Sequence, residues 1–208
     1  MSFVIFSEKI KKALRFSIKT HEVYQKQKRK GKDIPYITHP LIVGIILSRA
    51  EASEDVIIAG ILHDTIEDCC PEKRVTYKMI ADRFGERVAM LVDSVTEKNF
   101  AVSWDQRKKE AVEHIATYSH ESILVKSADL ISNTSDILED YADEGAKTFE
   151  RFKIDARKIV GHYIAAIKAT IERWSKNPFV DDLKINLAKL SVVAKELSRS
   201  ERAGISEK

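Results

Sequence analysis

Cysteine is nearly absent from this chain of 208 residues, and its two cysteines, Cys69 and Cys70, are neighbours. Adjacent cysteines bridge only through a strained ring, so the sequence predicts free thiols and argues against a disulfide-stabilised fold or a cysteine-rich zinc site. No apolar run approaches the length of a membrane-spanning helix, and the apolar start over residues 1–7 is too short for a signal peptide. These absences predict a cytoplasmic protein without a membrane partner.

The sequence also lacks a large excess of one charge, and it has few helix-breaking residues. The formal net charge is only +3, so bulk charge gives no reason to expect a nucleic-acid partner. Seven glycines and four prolines are few for this length, and valine and isoleucine recur at helical spacing rather than in alternating runs. The sequence therefore predicts an all-α fold. One compact helical bundle is expected over residues 1–175, with a docked C-terminal helix and a frayed tail over 176–208.

Helical periodicity defines the individual elements. It predicts helices over residues 8–28, 39–49, 54–68, 77–84, 86–95, 104–118, 121–138, 146–174 and 179–197. The third of these is apolar on nearly every face between Val56 and Leu62, which predicts a buried central helix. The segment 34–37 is expected to be extended, because Pro35 disfavours helix in the residue before it.

The predicted central helix ends in four side chains that can bind a metal or move a proton: His63, Asp64, Glu67 and Asp68. Such groups rarely follow an apolar helix unless something offsets the desolvation of their charges, and a divalent cation would do so. Glu67 follows His63 by four residues and Asp64 by three, so a continuous helix would return it to their face. Asp68 follows Asp64 by four residues.

Two further side chains offer metal ligands. His39 opens one apolar helix, and Asp129 follows the apolar stretch 123–128 of another. Imidazoles and carboxylates without thiolates suit a cation such as Mn²⁺, Fe²⁺, Mg²⁺, Co²⁺ or Zn²⁺. With His63 and Asp64 they would supply four ligands and leave about two positions of a six-coordinate ion for water and a substrate oxygen, as hydrolysis requires.

The order of these motifs resembles that of the HD-domain metal-dependent phosphohydrolases, and most of all the hydrolase domain of the RelA/SpoT group. The resemblance covers residues 8–175 and rests on the segments 29–31, 35–41, 62–68, 84–96 and 125–133. It implies a compact HD-domain helical bundle that removes the 3′-pyrophosphate from guanosine tetra- or pentaphosphate by attack of a metal-bound water. One divalent ion, expected to be Mn²⁺, and a stand-alone small hydrolase of the stringent response are implied as well.

The resemblance also implies a role for each matched residue. The implied metal ligands are His39, His63, Asp64 and Asp129. The implied catalytic pair, which would orient and deprotonate the attacking water, is Glu67 and Asp68. Arg29, with Lys30 as a helper, would bind the substrate phosphates, and Asn133 would bind the nucleotide sugar or phosphate. Lys126 lies one helical turn before Asp129, and from this position we expect it to line the same substrate pocket.

One stretch departs from the family pattern. The family usually reads Ala-Asp-Arg-Leu-His-Asn, whereas residues 128–133 here read Ala-Asp-Leu-Ile-Ser-Asn, without the arginine and the second histidine. Two alternatives therefore stay open. One is an HD-domain nucleotide phosphatase or phosphodiesterase with a different nucleotide substrate. The other is an HD module that binds a nucleotide or a protein partner without turnover.

The remaining polar features have simpler interpretations. The basic run 26–32 is typical of a solvated surface as well as of a phosphate site. The other four histidines are expected on surfaces or helix faces, which favours a single metal: His21, His114, His120 and His162. The leucine stripe over 183–197 has near-heptad spacing, which predicts docking on the fold and allows a homodimer contact.

Overall fold

The described structure is helical throughout. The computed structural model describes residues 7–98 and 101–205, with side chains as far as residue 199. Its α-helices are α1 (Glu8–Ile18), α2 (Thr38–Arg49), α3 (Glu54–Leu62), α4 (Tyr77–Phe84), α5 (Glu86–Val95), α6 (Trp104–His114), α7 (His120–Glu144), α8 (Ala156–Arg173) and α9 (Val180–Ile205). Within the described ranges the β-type pairing is an isolated bridge between Lys28 and Pro35. The predicted all-α class is confirmed.

The chain divides into two compact units. Among the described residues, the first unit contains 7–98 together with 124–129, and the second contains 101–123 together with 130–205. Helix α7 contributes to both units. The predicted domain over 1–175 with a separate C-terminal extension stays a prediction. The apolar residues 1–6 and the last three residues of the predicted tail lie outside the described residues.

Helix α3 is the centre of the first unit and contacts α1, α2 and α5. Six of its nine residues are buried, so the prediction of a central buried helix is confirmed. Gly60 permits the close approach of α2, since a Cβ atom added there would lie 2.3 Å from Cδ1 of Leu47. This approach positions the start of α2 and the end of α3, where His39 and His63 lie.

The central helix ends six residues earlier than predicted. It stops at Leu62, and residues 63–68 form turns. Nδ1 of His63 donates to the carbonyl of Gly60 at 2.7 Å, and Oγ1 of Thr65 donates to the carbonyl of Leu62 at 2.7 Å. Such bonds compete with the backbone ladder of a helix. The prediction of a helix as far as residue 68 is wrong, so helical spacing does not place the carboxylates that follow.

The first helix also departs from its predicted form. It is α-helical only as far as Ile18, and residues Lys19–Tyr24 form a π-helix. Oγ1 of Thr20 donates to the carbonyl of Phe16 at 3.0 Å, which is a side-chain interruption of the kind that distorts helices. The chain then leaves the helix at Lys26, whose φ is 49°.

In the second unit α8 contacts α6 and α9. Leu183, Leu190 and Val193 of α9 are buried, so part of the leucine stripe is covered within this unit. Asn186 donates to Oγ1 of Thr134 at 2.8 Å. Helix α9 extends to Ile205 rather than to the predicted end at residue 197. No helix in the described ranges is long and apolar enough to cross a membrane.

Candidate metal centre

The four predicted metal ligands belong to the first unit and lie within or directly after three helices. His39 is the second residue of α2, His63 and Asp64 directly follow α3, and Asp129 lies in α7. The side chains of both histidines are almost fully buried, with exposed fractions of 1% and 5%. Since these helices meet in the interior of the unit, residues distant in sequence converge at one point.

The facing atoms are Nε2 of each histidine and one oxygen of each aspartate. The two Nε2 atoms are 3.2 Å apart. Oδ2 of Asp64 lies 3.0 Å from Nε2 of His63 and 3.6 Å from Nε2 of His39. Oδ1 of Asp129 lies 3.4 Å from Nε2 of His39 and 3.8 Å from Nε2 of His63.

These separations fit the ligands of a single cation. Atoms about 2.1 Å from an ion lie about 3.0 Å apart at right angles and about 3.4 Å apart at tetrahedral angles. His39, His63 and Asp129 form a compact group in which all three donor atoms lie within 4.8 Å of one another. Asp64 adds an oxygen close to both imidazoles. The residues present could therefore hold one divalent ion.

Hydrogen bonds hold the ligands in orientations that suit a metal. Nδ1 of His63 must carry a hydrogen, because its partner, the Gly60 carbonyl, can only accept. In the neutral ring the lone pair that can bind a metal is therefore on Nε2. Lys126 donates to Oδ2 of Asp129 at 2.8 Å, and Oδ1 faces the imidazoles. The Tyr36 hydroxyl donates to Oδ2 of Asp64 at 2.5 Å.

The cluster favours the binding of positive charge. Burial opposes protonation of His63, but Asp64 and Asp129 outweigh it and raise the pKa of this imidazole to about 9. Burial likewise opposes ionisation of the two aspartates. His63 and His39 nevertheless hold the pKa of Asp64 below its usual range, and Lys126 with the same histidines lowers that of Asp129. The positive charge of protonated His63 thus interacts with Asp64 and Asp129, and a divalent cation at this point would interact with the same two carboxylates.

The predicted catalytic carboxylates lie in the turn after Asp64. The backbone N–H of Glu97 donates to Oε2 of Glu67 at 3.2 Å, and Nε2 of Gln27 donates to Oδ2 of Asp68 at 3.0 Å. Burial, followed by the charge of Asp64, raises the pKa of Glu67 to about 8 and also raises that of Asp68. Carboxyl groups with raised pKa values beside a ligand cluster are suited to proton transfer near neutral pH.

The basic loop adjoins the ligand cluster through an aromatic ring. The Arg29 guanidinium lies 5.7 Å from the centre of the Tyr36 ring, and the hydroxyl of that ring bonds to Asp64. The loop is closed by hydrogen bonds from the Arg29 N–H to the Ile34 carbonyl and from the Tyr36 N–H to the Gln27 carbonyl, each 2.8 Å long. The predicted phosphate-binding arginine therefore lies next to a tyrosine that contacts a candidate metal ligand.

The other predicted substrate-binding residues have different surroundings. Lys30 is an exposed residue of the same loop. Lys126 forms an ion pair with Asp129, so it contacts the ligand set itself. Asn133 belongs to the second unit and lies one helical turn beyond Asp129 along α7. At the altered positions in this stretch, Leu130 and Ser132 are buried, with exposed fractions of 1% and 3%.

Three residues near the cluster were missed by sequence reasoning. The sequence predicts His21 on a surface or a helix face, and the surface is excluded, because this side chain lies in the π-helix and is fully buried. Its Nδ1 lies 3.1 Å from Oε1 of Gln27, and its ring centre lies 5.1 Å from that of Tyr36. Buried Ala13 and Ser17 precede His21 at intervals of four residues, and this spacing could have identified it as inward-facing. Gln27 and Tyr36 gave no comparable signal.

The sequence pattern that defines the HD domain matches residues 13–152. The match spans more than half of the chain. This chain belongs to the HD-domain family. The matched range contains all four candidate ligands and both carboxylates of the following turn.

Curated relatives of this HD-domain chain carry the name guanosine-3′,5′-bis(diphosphate) 3′-pyrophosphohydrolase. The protein of Aquifex aeolicus is 32% identical over 174 residues, which are 81% of this chain and 24% of the relative. The MESH1 protein of Danio rerio is 36% identical over 119 residues, or 56% of this chain and 63% of the relative. The chain thus spans about a quarter of the Aquifex aeolicus protein and just under two thirds of the Danio rerio protein.

Two solved structures support the same HD-domain fold. A metazoan orthologue of SpoT, described as hydrolysing ppGpp, has a TM-score of 0.64 at 22% identity, covering 96% of this chain and 98% of that one. The lmo0812 protein of Listeria monocytogenes has a TM-score of 0.65 at 30% identity, covering 76% of this chain and 99% of that one. The predicted HD-domain helical architecture is confirmed.

Proposed function

We propose that this chain is a metal-dependent phosphohydrolase that removes the 3′-pyrophosphate from guanosine tetra- or pentaphosphate. The observation that carries the proposal is the convergence of His39, His63, Asp64 and Asp129 on one point in a member of the HD-domain family. The names of the curated relatives supply the substrate and the reaction.

The four converging side chains would hold one divalent ion, for which we propose Mn²⁺. A set of two imidazoles and two carboxylates suits this ion, and buried carboxylates offset its charge. A bound ion of this kind neutralises phosphate charge and lowers the pKa of a water molecule. Tyr36 and Lys126 would keep the two aspartates in place through the hydrogen bonds described above.

Glu67 and Asp68 would take the proton from the attacking water. The water oxygen forms a bond to the phosphorus nearest the ribose, and the bond from that phosphorus to the 3′ oxygen breaks. The 3′ oxygen takes up a proton, and pyrophosphate is released. A carboxyl group such as Glu67, whose pKa is raised to about 8 before an ion binds, can exchange a proton near neutral pH.

Arg29 would bind a substrate phosphate, because a guanidinium can make two parallel hydrogen bonds to phosphate oxygens. Its position beside Tyr36 supports this role. Lys30, in the same exposed loop, would add charge, and Lys126 would combine phosphate attraction with its contact to Asp129. For Asn133 we keep the role that the family resemblance implies, a hydrogen bond to the nucleotide sugar or phosphate.

The test is hydrolysis of guanosine 3′,5′-bisdiphosphate by the purified chain with Mn²⁺, followed by chromatography of the products. We expect pyrophosphate and guanosine diphosphate in equal amounts. His63→Ala should remove this activity, whereas His114→Ala, at an exposed position of the second unit, should retain it. Unchanged release from His63→Ala would contradict the proposal. Release of other products would favour a different nucleotide reaction, and bound metal without turnover would favour a binding module.

We further propose a cytoplasmic location and a part in the stringent response. The free thiols Cys69 and Cys70 support a reducing compartment. The stringent response follows from the proposed substrate alone. The homodimer and the lack of a nucleic-acid partner stay predictions from the sequence.

A further inference from the structure

A second concave site lies in the first unit, in a region that contains none of the candidate metal ligands. It is a pocket of about 690 Å³ between α1, the π-helix, residues 72–75 and α4. Sites for small molecules typically have volumes of roughly 300–1,000 Å³. We call it the basic pocket, because of the composition of its lining.

Positive side chains dominate this lining. The basic residues are Lys12, Arg15, Lys19, Lys73, Arg74 and Arg83, and the single acidic one is Glu72. Several other lysines of the first unit have carboxylate partners, as in the pair of Lys78 with Asp82. Within the described ranges, none of the six basic pocket residues forms a salt bridge with a carboxylate. The pocket therefore concentrates positive charge that is not paired with a carboxylate of the described residues.

Three of these cations lie over aromatic rings of the pocket lining. Nζ of Lys19 lies 5.4 Å and Nζ of Lys73 lies 5.6 Å from the centre of the same Tyr24 ring. The Arg83 guanidinium lies 5.0 Å from the centre of the Phe16 ring. Cation–π contacts hold a cation in place without cancelling its charge. Both ammonium groups therefore keep their charge near Tyr24, where either of them can attract an anion.

We propose that the basic pocket binds a nucleoside polyphosphate at a site separate from the metal centre. Lysine and arginine side chains from three segments of the chain suit several phosphate groups at once. The apolar part of the lining includes Phe16, Val75, Met79 and Phe84, and it suits the flat face of a base. The volume matches one compact ligand of this class, whereas an acidic peptide would require an extended groove.

The pocket shares an element with the surroundings of the metal centre. The π-helix supplies Lys19 and Tyr24 to the pocket, and it also carries His21, whose partner Gln27 bonds to Asp68. A ligand in the pocket could therefore alter hydrolysis as well as bind. For this reason the decisive measurement is binding, which does not depend on turnover at the metal centre.

The test is calorimetric titration of the full chain with GTP in the presence of EDTA, so that no divalent ion recruits the nucleotide elsewhere. The pocket variant is Lys19→Glu/Lys73→Glu/Arg83→Glu. The matched control is Lys11→Glu/Lys78→Glu/Arg49→Glu, which makes the same change in net charge at first-unit residues outside the pocket. We expect the pocket variant alone to lose roughly tenfold or more in affinity.

Photolabelling with 8-azido-GTP identifies the segment beside the base, and we expect the label on the peptides that contain Phe16, Met79 or Phe84. Equal weakening in both triple variants would indicate diffuse attraction and overturn the proposal. So would labelling confined to residues 27–37, absence of GTP binding by the unaltered chain, or tighter binding of a polyglutamate peptide than of GTP. Thermal melting checks the fold of each variant. Should the triple variant not fold, the single exposed substitution Lys73→Glu replaces it with the same criteria.

Discussion

The six histidines divide equally between the two units, and the two sets have different surroundings. The three in the first unit are buried and face carboxylates, an amide or one another: His21, His39 and His63. The three in the second unit are exposed or half-buried, and each contacts an aromatic ring: His114, His120 and His162. The ring of His120, for example, stacks on that of Trp174 at 4.2 Å.

The difference shows where the molecule tolerates buried charge. An ionisable ring removed from water costs free energy unless charged or hydrogen-bonding partners compensate it. The second unit has a neutral buried contact, the bond from Asn186 to Thr134, and a largely buried ion pair of Arg151 with Asp140 in which one charge balances the other. In the first unit two imidazoles and two carboxylates surround one point. An arrangement of this kind is better explained by a bound cation than by stability alone.

Replacement of a buried histidine in the first unit should have the largest effect. His39→Gln keeps the side-chain size similar but removes an imidazole ligand, and we expect hydrolysis to fall by roughly 10³-fold, on the scale of removing a group that the transition state requires. Metal content after dialysis should fall with it. His120→Gln in the second unit should leave both quantities unchanged. Full activity and metal content in His39→Gln would show that the cluster is not the metal centre.

Much of this first-unit site could be predicted from sequence, because three of its four ligands lie where apolar helices start or end. Periodicity identifies the apolar stretch before His63, and the order of motifs relates it to His39 and Asp129. Hydrophobic periodicity does not show where side-chain hydrogen bonds compete with the backbone hydrogen bonds of a helix. The bond from His63 to the Gly60 carbonyl ends α3 early and at the same time fixes the imidazole. The roles of Gln27 and Tyr36 depend on loop closure, which leaves no periodic trace.

Two helical glycines extend the comparison of the units to stability. A Cβ atom at Gly60 in the first unit would lie 2.3 Å from Leu47, while one at Gly161 in α8 would have nothing within 4 Å. Gly60→Ala should therefore lower the free energy of unfolding by about 1–3 kcal/mol through overpacking. Gly161→Ala should raise it by about 0.5–1 kcal/mol, because alanine restricts the unfolded chain and favours helix. Urea denaturation measures both, and a stabilising Gly60→Ala would refute the close approach of α2 and α3.

Between pH 5 and 9 the metal-free protein should show a pH-dependent change in stability that originates at Glu67 in the first unit. Burial and the charge of Asp64 raise the pKa of Glu67 from 4.5 to about 8, so the folded chain retains a proton that the unfolded chain has lost between these values. The contribution of this group to stability is present below pH 4.5 and is lost as the pH rises through 8. Glu67→Gln cannot ionise, so its melting temperature should exceed that of the unaltered protein at pH 9 and approach it near pH 5.

Each kcal/mol by which Glu67→Gln raises the free energy of unfolding should raise the melting temperature by about 2–4 °C in a protein of this length. Glu113→Gln, at an exposed position of the second unit, should show no such trend. Melting curves in EDTA between pH 5 and 9 provide the measurement. A difference between Glu67→Gln and the unaltered protein that shrinks towards pH 9 would contradict burial of an ionisable group at this position.

The smallest effect should come from the amide that supports Asp68. Gln27 donates to this carboxylate and so lowers its pKa, in opposition to burial, the larger influence, which raises it. Gln27→Leu should therefore raise the pKa of Asp68 further and move the acidic limb of the pH–rate profile to higher pH, with about a threefold to tenfold loss of activity below neutrality. Gln106→Leu in the second unit removes a comparable bond, to Glu110 at 2.9 Å, and should leave the profile in place. A uniform loss at every pH in Gln27→Leu would assign this residue to packing, because a structural defect lowers the rate without moving the limb.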